Sequence, residues 1–185
     1  MRIAVYGGSF NPPHAAHAMV AAWLLWTDQI DEVWLVPVYQ HAFEGTHDKT
    51  LASFAERVQW TEAMARDVDE RIRVLDIEAQ LPVPSYTIDT LNHLAAAHPD
   101  HVFRLVVGAD VLDQVDSWKD WAEISQRFSP IVVGRAGSRQ VEGVPVFPGI
   151  SSTQIRDRLG DGQGVEGLVT SGVAALLTER HPWAE

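Results

Sequence analysis

The chain has 185 residues, 46% of them hydrophobic, no cysteine, and 14 basic against 25 acidic side chains for a formal net charge of -11. That length and apolar content suit one compact domain over residues 1–185, with a core that needs no metal or disulfide staples. The missing cysteines exclude a disulfide scaffold, a thiolate zinc site and a cysteine nucleophile, and the acidic balance argues against broad binding to nucleic acid.

Taken in chain order, RIAVY (2–6) reads as a strand and His14 to Trp26 as the helix after it. EVWLVP (32–37) is followed by a helical pattern from Ser53 to Asp67, and RIRVLDI (71–77) by one from Thr87 to Ala97. VFRLVVG (102–108) leads to Trp118 to Phe128; PIVVG (130–134) and VPVF (144–147) precede helices over Thr153 to Leu159 and Gly172 to Arg180. Strand then helix, repeated, is the pattern of a parallel sheet covered on both faces, which binds ligands outside the carboxyl ends of its strands. The first apolar run is too short for a secretory signal, and no membrane span is expected, so a cytoplasmic location is. The irregular loops Tyr39 to Thr50 and Gln80 to Ser85 are candidates for substrate contacts.

Directly after the first strand stands GGSFNPPHAAH (7–17). Gly7 and Gly8 allow backbone angles closed to other residues and let a ligand approach the main chain. Asn11-Pro12-Pro13 ends the loop and sets up a helix, with Pro13 or His14 in its first turn, where free N–H groups and the positive dipole end attract phosphate. His14 and His17 share one helical face. Three readings are open: a metal pair, which lacks the usual i, i+4 spacing and a nearby Glu; donors to phosphate oxygens; and polar residues beside a structural turn. The loop is neither a G-x-G-x-x-G nor a Walker motif.

Near the other end, GISSTQIRDRL (149–159) has Ser151 and Gln154 at capping-box spacing and three hydroxyl residues at a helix start, with Arg156 able to reach the same anion. As structure this is a capped helix; together with the first loop it offers two anion-friendly helix starts, enough for a triphosphate between them.

The paired motifs G-G-S-F-N-P-P-H-x-x-H and I-S-S-T-x-I-R resemble those of the nucleotidyltransferase superfamily, and within it the nicotinate mononucleotide adenylyltransferases. Pro84-Ser85-Tyr86-Thr87 with Thr90-Leu91, Gly108-Ala109-Asp110 with Leu112 and Trp118, and Val132-Val133 with Arg135 and Gly137 are similar to the family's internal motifs in order and spacing. The resemblance implies a Rossmann-like doubly wound α/β fold with a mainly parallel sheet and helices on both faces. It implies transfer of the adenylyl group of ATP to the 5′-phosphate of nicotinate mononucleotide, with Mg2+ accompanying ATP and no metal ligands on the protein itself. By the same resemblance ATP meets Gly7, Gly8, Ser9 and Phe10, the histidines His14 and His17, Gly108 and Asp110 beside the ribose, and Ser151, Ser152, Thr153, Ile155 and Arg156. His14, His17 and Arg156 are its catalytic candidates. Asn11, Tyr86, Thr87, Trp118 and Lys49 are its acceptor-binding ones, Trp118 stacking on the pyridine ring. The partners implied are small molecules, and a homodimer stays open.

Two departures from the family pattern stand out. Ala16 occupies the place of the usual glycine in H-x-G-H, leaving slightly less room. VPVYQHAFEGTHDKT replaces an Asn-rich, Pro-Pro-His-Lys segment at the acceptor pocket; His41, His47 and Lys49 are its candidates for the acceptor phosphate, and nicotinamide mononucleotide stays open as the preferred acceptor. The rival of another class is a non-catalytic nucleotide-binding module on the same fold.

Overall fold

The computed structural model describes residues 1–27, 30–41 and 51–183. Among the described residues six strands form one parallel sheet in the order β3-β2-β1-β4-β5-β6. They are β1 (Arg2–Gly8), β2 (Glu32–Pro37), β3 (Ile72–Val74), β4 (Val102–Gly108), β5 (Ile131–Arg135) and β6 (Val146–Phe147). The helices are α1 (Ala15–Trp26), α2 (Phe54–Val68), α3 (Thr87–Ala97), α4 (Trp121–Phe128), α5 (Ser152–Gly160) and α6 (Ser171–Glu179). None of the described helices is long and apolar enough to cross a membrane.

The alternation within the strands builds a core on each face of the sheet. Ala4, Val33, Leu35 and Val106 face a cluster filled from α1, α2, α5 and α6 by residues such as Leu24, Met64, Ile155 and Leu177. Their neighbours Ile3, Val5, Trp34 and Leu105 face the other way, against Ile88 and Leu91 of α3 and Ile124 and Phe128 of α4. Because β1 and β4 are adjacent while their connections run to opposite faces, the chain leaves a crevice beyond Gly8 and Gly108.

The helix over 14–26 begins one residue later than the periodicity predicts, since His14 is its extended N-cap. The expected strand 71–77 is shortened to β3, and a 3-10 turn (Ile77–Gln80) takes over where the side chain of Glu78 turns inward to polar partners. Trp118 does not start a helix: Asp120 adopts left-handed angles and α4 begins at Trp121, which leaves Trp118 on the preceding connection. The expected strand 144–147 contracts to the two residues of β6.

Candidate active site

Strand β1 delivers Gly7 and Gly8 to the crevice, where Gly8 pairs with Pro37 and accepts the N–H of Val38 at 2.9 Å. A Cβ on Gly8 would come within 3.2 Å of the ring of Phe10, which explains the missing side chain. Phe10 itself takes a left-handed φ of 44°, a strained choice for an aromatic residue, and is held there by burial of its ring edge-on to Tyr6 and His17.

Three carbonyls of this loop are claimed by side-chain donors from elsewhere. Ser9 O accepts from Arg57 Nη1 at 2.9 Å, Asn11 O from Arg156 Nη1 at 3.0 Å, and Pro12 O from Ser152 Oγ at 2.8 Å. Carbonyl dipoles repel phosphate, so covering them makes the loop more hospitable to an anion. Ser152 and Arg156, expected to contact a ligand, are here engaged in clasping α5 to the first loop. Arg156 Nη2 also donates to Thr153 Oγ1 at 3.2 Å.

His14 and His17 stack ring on ring with centroids 3.7 Å apart. The backbone N–H of His14 donates to Nδ1 of His17 at 3.1 Å, while Nδ1 of His14 is buried without a hydrogen-bond partner. Burial, with the Arg135 cation as a lesser cause, lowers the His14 pKa to about 4. Burial, then His14 and then Arg135, push His17 well below its ordinary value. Both rings are therefore neutral near pH 7 without a ligand, and an arriving phosphate has two imidazoles to polarise or protonate.

Around them lies a cavity of about 200 Å³ whose walls include Ser9, His14, His17, Ser151, Thr153 and Arg156. The two end motifs therefore meet. Ser151 caps α5 by accepting the N–H of Gln154 at 3.1 Å. Ile155 plays a different part from the one expected: its side chain is fully buried in the core and its N–H goes to Ser151 O, so it anchors the helix behind the cavity.

A neighbouring cavity of about 140 Å³ shares His14, His17 and Arg135 and is closed by Gly108, Asp110 and Phe147. A Cβ on Gly108 would land on the Asp110 carboxylate, so glycine is what lets that carboxylate fold back over the strand end. Asp110 stands 3.8 Å from Arg135. Ala16 is buried and its methyl is accommodated in this cavity's wall.

On the other side of Gly7 and Gly8 a cavity of about 210 Å³ is bordered by Tyr86, Thr87, Trp118, His41, Glu78 and Lys119. Tyr86 is the N-cap of α3, so the free N–H groups of its first turn open here. Trp118 forms a wall backed edge-on by Trp121 at 5.6 Å, and Lys119 Nζ lies 4.7 Å from the Tyr86 ring while paired to Asp89 at 2.9 Å. Asn11, an expected acceptor contact, borders the 200 Å³ cavity instead, and its Oδ1 accepts the N–H of Ala52 at 3.0 Å. His41 reaches Ser9 Oγ through Nε2 at 2.8 Å. His47 and Lys49 lie outside the described residues.

Arg135, Glu78 and Arg57 were not assigned roles by the sequence motifs. Arg135 had a readable signal, a cation at the carboxyl end of a strand; the buried pair had none, because only the tertiary fold turns them inward.

The cytidylyltransferase-like family model matches residues 5–158. A protein of Anaeromyxobacter sp. (strain K) named "probable nicotinate-nucleotide adenylyltransferase" is 45% identical over 96% of this chain and 94% of its own. A relative of that same name from Myxococcus xanthus is 34% identical over 97% and 93%. The solved nicotinic acid mononucleotide adenylyltransferase of Plasmodium falciparum, complexed with NaAD, superposes with a TM-score of 0.78 at 20% identity, over 98% of this chain and 97% of that one, so it shares the fold. Motif, fold and relatives agree: the chain belongs to the cytidylyltransferase-like nucleotidyltransferases, in the group of the nicotinate-nucleotide adenylyltransferases.

Proposed function

We propose that this chain, as one nucleotidyltransferase domain, transfers the adenylyl group of ATP to the 5′-phosphate of nicotinate mononucleotide, giving the deamido dinucleotide and pyrophosphate. The observation that carries the reading is the set of three cavities about the first loop: two share His14, His17 and Arg135, and the third, bordered by Gly7 and Gly8, meets them where its His41 bonds Ser9. On this reading the triphosphate occupies the cavity lined by His14, His17 and Arg156, adenosine the one beside Gly108 and Asp110, and the acceptor the one walled by Trp118. Curated relatives that the chain matches over nearly its whole length carry the name of this activity.

An acceptor phosphate oxygen forms a bond to the α-phosphorus as the bond to the bridging oxygen breaks, and pyrophosphate departs with the electron pair. The nucleophile is already anionic, so the protein supplies in-line placement and charge stabilisation rather than a covalent intermediate. His17, with Nδ1 occupied, offers Nε2–H to a phosphate oxygen; His14, Arg135 and Arg156 add donors around the leaving group. Tyr86 and Thr87 present the α3 N-terminus to the ring carboxylate, and the Trp118 face suits a pyridinium. Imidazole and guanidinium donors do not suit Mg2+, which takes oxygen ligands, so the ion fits here as part of the metal–ATP complex, where it neutralises phosphate charge.

The test is pyrophosphate release from ATP with nicotinate or nicotinamide mononucleotide supplied separately. A kcat/KM several-fold or more in favour of nicotinate is expected. Preference for the amide would reassign the acceptor, and release with neither would leave only a nucleotide-binding module.

A further inference from the structure

Arg57, in the opening turns of α2, is 2% exposed, and its guanidinium bridges two loops. Nη1 donates to the carbonyl of Ser9 at 2.9 Å and Nε to the carbonyl of Ala52 at 3.2 Å, with the Phe54 ring 5.5 Å away. Ala52 is held from both sides, since its N–H goes to Asn11 Oδ1 at 3.0 Å. Burial disfavours the charged guanidinium and the nearby carboxylate of Glu78 partly offsets this; Glu78 itself borders the acceptor cavity, where it accepts Tyr39 N–H at 3.0 Å and the Thr90 hydroxyl at 3.0 Å. Residue 39 follows β2, residue 52 precedes α2, and Thr90 belongs to the first turn of α3 beside the acceptor cavity.

A buried cation is costly to desolvate, and an apolar side chain would fill the same space at less expense. What the apolar side chain lacks is a fork able to bind two carbonyls in different segments at once. We infer that Arg57 is a positioning residue: it locks the phosphate-binding loop at Ser9 to the Ala52 segment that enters α2, and through Ser9, whose hydroxyl bonds His41 of the acceptor cavity, it keeps the two substrate sites at one fixed spacing. This rests on the adenylyl-transfer reading given above. In that reaction the attacking oxygen and the α-phosphorus must meet in line, and a displacement of about 1 Å costs roughly a hundredfold in rate. Arg57 does not border the phosphate cavity, which separates it from the residues that touch substrate.

The experiment compares wild type with Arg57→Lys, which keeps the charge but not the fork, and Arg57→Met, which loses both. Expected for R57K is a kcat lower by about tenfold or more with the KM for each substrate changed by less than about threefold, and for R57M a kcat at least as low. An unchanged kcat per folded molecule in R57K overturns the inference. Should R57M fail to fold, amide exchange decides: in R57K the Ala52 amide should lose protection while the strands keep theirs, and equal protection in both proteins overturns the inference. The exchange readout does not depend on turnover. A wild type inactive with both mononucleotides defeats the activity reading alone.

Discussion

His17 accepts the backbone N–H of His14 on Nδ1 at 3.1 Å, and that bond selects the tautomer of the second histidine. With Nδ1 engaged as an acceptor, the ring proton of the neutral imidazole resides on Nε2, the only other nitrogen. His17 therefore presents a donor in a fixed direction, stacked on His14 and steadied edge-on by Phe10 and Tyr6.

A donor aimed at developing phosphate charge acts mainly in the transition state. His17→Ala is thus expected to lower kcat by about 10²- to 10³-fold, with the KM for ATP changed only severalfold. Steady-state kinetics beside a thermal melt checks this; losses of turnover and of melting temperature in step would assign the ring a structural role instead.

The same two rings make stability depend on pH. The folded His14 pKa is about 4 against an ordinary 6.5, and His17 is lowered as well, so between these values the unfolded chain binds more protons than the folded one. Stability is then full above about pH 6.5 and falls as the pH drops toward 4, by up to roughly 3 kcal/mol for His14 alone. Denaturant titrations from pH 7 to 4 should show this slope, and His14→Gln should flatten it; a variant as acid-sensitive as wild type contradicts the assignment.

The strand–helix alternation was readable because parallel strands buried on both faces are uniformly apolar, and the phosphate motifs because Gly, Pro and Ser/Thr crowd where helices start. Trp118 was found by motif but misplaced onto a helix, since the left-handed turn at Asp120 has no Gly or Asn to announce it. Ile155 sits inside a binding motif yet serves the core: in I-S-S-T-x-I-R one helical face meets the cavity and the other meets the sheet. Arg57 and Glu78 look like surface charges on amphipathic segments. Their burial follows from carbonyls and hydroxyls brought over from distant segments, which no local pattern records.

Gly108→Ala tests the adenosine side. The added methyl would occupy the place of the Asp110 carboxylate and turn it away from the cavity it shares with Arg135. The backbone at Gly108 has a φ of -68°, open to any residue, so folding should be little affected. Expected is a KM for ATP raised by about tenfold, in line with loss of a charge-assisted hydrogen bond to the ribose, while the acceptor KM holds. An unchanged ATP KM would mean that Asp110 does not meet the nucleotide.

Trp118 tests the acceptor side independently. It stands half-buried on a connection with its ring against Trp121, a position where packing alone contributes less than in the core. Stacking of a flat base on an aromatic face is worth about 1–3 kcal/mol, so Trp118→Ala should raise the KM for nicotinate mononucleotide by roughly 5- to 150-fold. The KM for ATP should stay near its wild-type value, because the nucleotide cavities are bordered by other residues. Trp118→Phe should recover most of the loss, as a smaller face still stacks. Equal rises in both KM values would show that Trp118 supports the fold of the crevice instead of the pyridine ring.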